Sequence, residues 1–256
     1  MDLGALDLAS WLRTGVALVL LAAIAYVGQR MFRVEAPREA VVAILRAIVQ
    51  LALLSIVLTG IIQDVRWVAL GLVGMLVAAI VTAARRSGGR AAEVLLLATA
   101  ITAGPLVVML VVFGTAAIEL TPQYLLAVGG IVIGNAMTMG ILVQRVLHAS
   151  IRDHWSEVEG WLALGATPRR SIAPLAREAV RTALLPIIDT TRTTGIVVLP
   201  GAFVGAVFAG LSPIEAGRFQ LIVLAGIVAA GVVTGSILAF TAHRTPAQAP
   251  PRTLVE

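Results

Sequence analysis

Asp189 and Arg192 stand three residues apart with opposite charges in a largely apolar stretch, a spacing that lets them pair on a helix. Arg46 and Gln50 share a helix face in another apolar run, and Asn135 lies inside a third. These side chains offer ion pairing and hydrogen bonding rather than a reaction. Ser55 and Ser236 have no His or carboxylate at a matching depth, so no nucleophile and base are paired. The chain has no cysteine, which excludes disulfides, thiolate metal sites and Cys nucleophiles. His148, His154 and His243 do not fall at metal-ligand spacing.

A charge at the centre of a bilayer costs about 2.5–3.5 kcal/mol even on the permissive insertion scale, so such residues usually face a partner or a water-filled path. Arg192 has a second reading, snorkelling to the near interface. Asp189 has a short stem and is expected to pair with Arg46 or Arg192. For Asn135 an interhelical hydrogen bond is expected ahead of a solute contact. Met75, Met109, Met137 and Met139 read as packing, and Glu119 as a solvated loop charge.

All 19 basic residues are Arg. A P-loop needs a Lys that reaches the β- and γ-phosphates, so this chain contains none. If ATP drives it, another polypeptide binds the ATP and Mg, and no cofactor is expected in this one. A sequence pI near 11.1 resembles that of nucleic-acid binders, but the net charge is only +5 and the Arg residues cluster in short loops. Membrane topology explains them better, and no nucleic-acid partner is expected.

The elements that position these residues are hydrophobic helices. Of the 256 residues, 59% are hydrophobic and only 13% charged, with a mean hydropathy of +0.98, whereas a soluble domain carries roughly 25% charged residues. Seven runs are long enough to cross ~30 Å of hydrocarbon. They are Trp11–Phe32, Ala40–Ile62, Trp67–Ala84, Val94–Phe113, Tyr124–Leu147, Thr190–Gly210 and Gln220–Ala242. The fold class expected is all-α, a polytopic transmembrane bundle over residues 1–244. Asp2 and Asp7 replace the basic cluster of a cleaved signal, so the first run reads as a retained span. An outside N-terminus and inside C-terminus put fourteen of the 19 Arg on the cytoplasmic side, among them Arg85, Arg86, Arg90, Arg244 and Arg252. The Pro-containing tail, residues 245–256, reads as disordered.

Small residues four apart, at Gly130 and Gly134, Gly201 and Gly205, and Gly231 and Gly235, read as close helix packing. Gly104-Pro105 is expected to kink the fourth span, and Gly195 and Pro200-Gly201 to break or bend the sixth.

The one sizeable connection, about residues 148–186, reads as helix, tight turn, helix. Trp155, Val158 and Leu162 recur at helical spacing. Gly165 supplies a C-terminal stop, and Thr167-Pro168 an N-cap with a first-turn proline. The second helix carries Arg170, Arg177 and Arg181 on one side, with Ile172, Leu175 and Ala179 on another. Such a hairpin could lie on anionic lipid or insert into a cytoplasmic ATPase, since amphipathic helices serve both uses.

The string from Glu159 through Gly165 to Pro168, closed by Leu185-Pro186, resembles the cytoplasmic coupling loop of ABC transporter permeases. Arg46-Ala-Ile-Val-Gln50, Gly134-Asn-Ala-Met137, the block from Arg181 to Gly201, and Ala209-Gly-Leu-Ser-Pro213 are similar to the FetB-type permease family over nearly the whole chain. The resemblance implies a permease that exports metal ions such as iron from the bacterial inner membrane. It also implies a permease homodimer with an ABC ATPase partner. Glu159, Leu164, Gly165, Ala166, Thr167 and Pro168 would then contact that ATPase. Ala202-Phe203 stands where family members often carry a Met pair, which removes soft ligands from the inference. An ion-coupled secondary transporter, or a permease for an organic solute such as a nucleotide sugar, is the alternative.

Overall fold

The computed structural model describes residues 8–33, 38–61, 64–86 and 91–242. Asp2, Asp7, Arg90, His243, Arg244, Arg252 and the tail from Thr245 lie outside the described residues. Among the described residues, every regular element is a helix: α1 (Leu8–Met31), α2 (Arg38–Ile61), α3 (Val65–Arg86), α4 (Ala91–Gly114), α5 (Pro122–Asp153), α6 (Trp155–Ala163), α7 (Pro168–Thr193), α8 (Gly201–Phe208) and α9 (Pro213–Thr241). Six of them, α1 to α5 and α9, are long and apolar enough to cross a membrane. Lipid offers no partner for backbone N–H and C=O groups, and a helix satisfies them internally. The chain is a multi-pass helical membrane protein.

Two compact units divide the chain, residues 1–63 and 64–256. In the first, α1 packs on α2. Neither buries a side chain in its spanning stretch, as expected of helices whose apolar surface meets hydrocarbon. Ser55 donates to the Leu51 carbonyl at 2.9 Å, and Thr14 to that of Ser10 at 3.0 Å, so the polar side chains bond to their own helix. Arg46 and Gln50 are exposed on α2.

The second unit is built around α4, α5 and α9. Apolar side chains gain little by leaving lipid for one another, so close packing and hydrogen bonds hold these helices. Gly104 lets α4 meet α9: a Cβ there would lie 2.8 Å from the Ala230 carbonyl oxygen. α4 remains one helix through Pro105. Gly226 leaves room for Val108, and Gly140 of α5 for Ile101 and Leu97. Thr234 donates to the Ala100 carbonyl at 3.1 Å in a fully buried setting. Met139 is buried and abuts Gly235, while Met75 abuts Gly130. Gly134, Gly201 and Gly205, expected to bring helices together, have open space where a Cβ would stand. Asn135 also departs from expectation: its amide donates to the Ile131 carbonyl of its own helix, at 2.9 Å.

The expected sixth span, Thr190–Gly210, is not one helix. α7 continues the hairpin's second helix through Pro186 to Thr193, so the connection expected to end near residue 186 has no boundary there. A turn follows, and α8 begins after Pro200, which is its N-cap. A Cβ on Gly235 of α9 would touch Val180, one on Gly231 would touch Leu184 and Ile187, and one on Gly217 would approach Phe203 of α8. Numbers rise along α7 and α8 as they fall along α9. Thus α7 and α8, end to end, run antiparallel to α9 as one broken crossing.

Candidate functional site

Two features stand out, one at each end of α7. The first is its beginning. α5 has 32 residues, about 48 Å at 1.5 Å per residue, and exceeds ~30 Å of hydrocarbon. Its last turns therefore carry the α6–α7 hairpin away from the apolar layer. α5 ends at Asp153 instead of Leu147, with His154 between it and α6.

Val158 of α6 is buried, and Trp155 packs with it against Leu147 and Ile151 of α5 and Ile172, Ala176 and Ala179 of α7. The hairpin is thus fixed by an apolar seam, while Arg170, Arg177 and Arg181 stay exposed. Gly165 closes α6 with φ of +83°, a backbone conformation that a side chain disfavours. Its N–H donates to the Leu162 carbonyl and that of Ala166 to the Trp161 carbonyl, both at 3.0 Å, a Schellman closure. Thr167 then caps α7 by accepting from the Arg170 N–H, with Pro168 in the first turn.

The tip between them is apolar and uncovered. Leu164 is 83% exposed and Trp161 44%. Glu159, Gly165 and Thr167 are exposed beside them, and Ala166 is half-buried.

The second feature is the end of α7. Asp189 lies 3.6 Å from Arg192, both exposed. Extending the register set by Ile187 and Gly231 places this pair level with the centre of α9, not at the edge of the crossing. Arg46 belongs to the other unit. Thr190, Thr191, Thr193 and Thr194 each donate a hydroxyl to a carbonyl of α7 one turn back, at 2.7–3.0 Å. That leaves each hydroxyl oxygen able to accept.

Beyond Thr193 the chain turns. Gly195 has φ of +86°, and its N–H donates to the Val198 carbonyl at 2.9 Å, while the Thr193 carbonyl accepts from Ile196, Val197 and Val198. Ile196 is 88% exposed and Val197 77%.

Sequence reasoning did not single out several buried polar groups. Glu93, the one buried charged side chain among the described residues, sits in the first turn of α4, where the helix N-terminus favours a carboxylate. Gln144 lines a cavity of about 20 Å³ with His148 and Thr241, room for one water. Neither has a spacing signal. Their burial depends on which helices adjoin.

Six spanning helices, one broken crossing and a projecting hairpin define the class: a multi-pass membrane protein whose polar α7 joins an apolar tip to the interior. Over residues 11–246 the chain matches the profile of UPF0014, described as an uncharacterised protein family, and it belongs to that family. It is 33% identical over 198 residues to the UPF0014 membrane protein STAR2 of Oryza sativa subsp. japonica, covering 77% of this chain and 70% of the rice protein. It is 30% identical over 198 residues to the protein ALUMINUM SENSITIVE 3 of Arabidopsis thaliana, covering 77% and 72%. It is 31% identical over 145 residues to the probable iron export permease protein FetB of Escherichia coli K12, covering 57% and 56%. No solved structure matches the chain.

Proposed function

We propose that this chain is the permease subunit of an ABC transporter in a bacterial cell membrane, exporting a metal ion of the iron class, with ATP and Mg bound by a separate cytoplasmic subunit. Membership of a family of membrane proteins, and similarity to the probable iron export permease protein of Escherichia coli, support the permease and the metal. The sequence holds no Lys and so no P-loop, which supports a reading in which hydrolysis belongs to another chain.

The hairpin carries the reading. A helix lying on lipid keeps its apolar face for the acyl boundary. In α6 the Trp155 and Val158 part of that face is consumed by α5 and α7, and what remains apolar is a compact tip at Trp161, Leu162 and Leu164. A tip of that shape suits a groove on a partner protein.

A permease for a polar organic solute is the second reading. The side chains near the break favour it, because Arg192, Asp189 and threonine oxygens match a solute with several hydrogen-bonding groups.

The test is co-expression with an ABC ATPase subunit that carries a P-loop, the first candidate being one encoded by a neighbouring reading frame. The expected result is co-purification and an ATPase rate in proteoliposomes that rises with iron. Leu164→Asp should lose the partner and still insert. A rise with organic anions and not with metals selects the second reading, and uphill solute movement with no ATPase present overturns both.

A further inference from the structure

We propose that the cavity beside the root of the hairpin binds one water molecule, and that this water joins the end of α5 to the end of α9 through Gln144 and Thr241. The inference stands on the packing of α4, α5 and α9 and does not depend on the permease reading.

Gln144 is 8% exposed, and its carbonyl Oε1 has neither solvent access nor a donor among the described residues. Folded proteins rarely leave a buried carbonyl in that condition, because the lost hydration is not repaid. The same side chain lines a cavity of about 20 Å³ with His148 one turn further along α5, Thr241 at the end of α9 and Leu96 of α4. Thr241 cannot supply the missing donor. Its hydroxyl hydrogen goes to the Ile237 carbonyl at 2.6 Å, so it has only lone pairs to offer the cavity. Two acceptors therefore share one space, and neither satisfies the other.

Water is the molecule that fits. Its two hydrogens match the two oxygens, and its own oxygen can accept from a ring N–H of His148. That makes about three hydrogen bonds, the usual number for a buried water, in a space of about one water's size. A small cation would also find acceptors, but none of the described lining side chains is acidic, and an unpaired buried charge is far costlier than a neutral donor. Glu93, a turn before Leu96 on α4, does not line the cavity. The position gives the water a second effect. Leu147 and Ala242 line the cavity and also belong to the apolar seam that fixes the hairpin. About two turns deeper the Thr234 hydroxyl ties α9 to α4. The water ties α9 to α5 at the level where the hairpin departs.

The first test uses the unaltered full chain, crystallised from a lipid mesophase and refined at a resolution that shows ordered water. The expected map has a solvent peak within hydrogen-bond distance of both Gln144 Oε1 and the Thr241 hydroxyl oxygen. A dry cavity overturns the proposal. So does a Gln144 amide turned over, with its NH2 group donating directly to Thr241 and no solvent peak between them.

The second test removes each oxygen in turn while keeping the side-chain volume close, with Gln144→Met and Thr241→Val. Each single variant is expected to lower the melting midpoint in detergent. The double variant should fall little further than the lower single, because a shared water can be lost only once. Additive shifts overturn the shared water. A raised midpoint in Gln144→Met also overturns it, since that is the result for an oxygen that has no partner to lose. Hydrogen exchange on the same samples reads the tie. Amides of α6 should exchange several-fold faster in Gln144→Met than in the unaltered chain, as a loosened hairpin opens more often. Unchanged exchange in α6 overturns the role of the water at the hairpin's root.

Discussion

The Thr234 hydroxyl donates to the Ala100 carbonyl beside Gly104, where a Cβ would fall 2.5 Å from that same hydroxyl oxygen and 2.8 Å from the Ala230 carbonyl oxygen. The two helices are held by proximity first and by the hydrogen bond second. Gly104→Val should therefore be far more damaging than Thr234→Val. Overpacking a close contact costs about 1–3 kcal/mol. An interhelical hydrogen bond in a membrane averages about 0.6 kcal/mol. Melting of the two variants in detergent, side by side, checks the order, and equal shifts would contradict it.

Gly165→Val places a β-branched side chain at φ of +83°. Left-handed backbone costs about 1–2 kcal/mol for an L-residue, so the turn should re-form with the tip displaced. Glu159→Lys is exposed and should leave stability unchanged. Both are expected to abolish stimulation of the partner ATPase while membrane insertion, followed by fractionation, stays normal. Normal stimulation in both would count against the hairpin as the contact.

The Asp189–Arg192 pair is exposed on both sides, at 64% and 75% of the side chain. Solvent screens such a pair, and its loss should change stability by less than about 1 kcal/mol. Asp189→Asn is nevertheless expected to cut transport several-fold, with Asp189→Arg/Arg192→Asp recovering part of it. Transport assays in vesicles, normalised to folded protein, measure this; an unchanged rate in the single variant would place the pair outside the path.

Ser212 and Glu215 form a capping box on α9: the Ser212 hydroxyl oxygen accepts from the Glu215 N–H at 3.3 Å, and a Glu215 carboxylate oxygen accepts from the Ser212 N–H at 3.1 Å. Ser212→Ala should cost about 1 kcal/mol. It is far from the hairpin in sequence and should lower the melting temperature without altering ATPase stimulation per folded molecule.

The hairpin was readable because its punctuation is local: Gly165, Thr167 and Pro168 each act through their own backbone. The broken crossing leaves no local signal of this kind. Ile196 to Leu199 and Ala202 to Ala209 are apolar enough to pass for one span, and hydropathy does not distinguish a turn from a helix. The charged face of α7 lowers the hydropathy of its first half, so that half looks like connection and not like part of a crossing. Asn135 bonds to Ile131 and Thr234 to Ala100. Both carry a polar group in an apolar run, and only the identity of the neighbouring helix separates them. Gly195 was legible as a break, and its positive φ at the turn is what such a glycine permits.

α7 has 26 residues, about 39 Å of unbroken helix. It starts at the Thr167 cap and stops where the crossing divides. A stroke of a few ångströms at its first turn therefore arrives at its last as a stroke of similar size, as with any stiff lever. Pro174 and Pro186 each withhold a backbone donor, so these are the two points where the lever can flex.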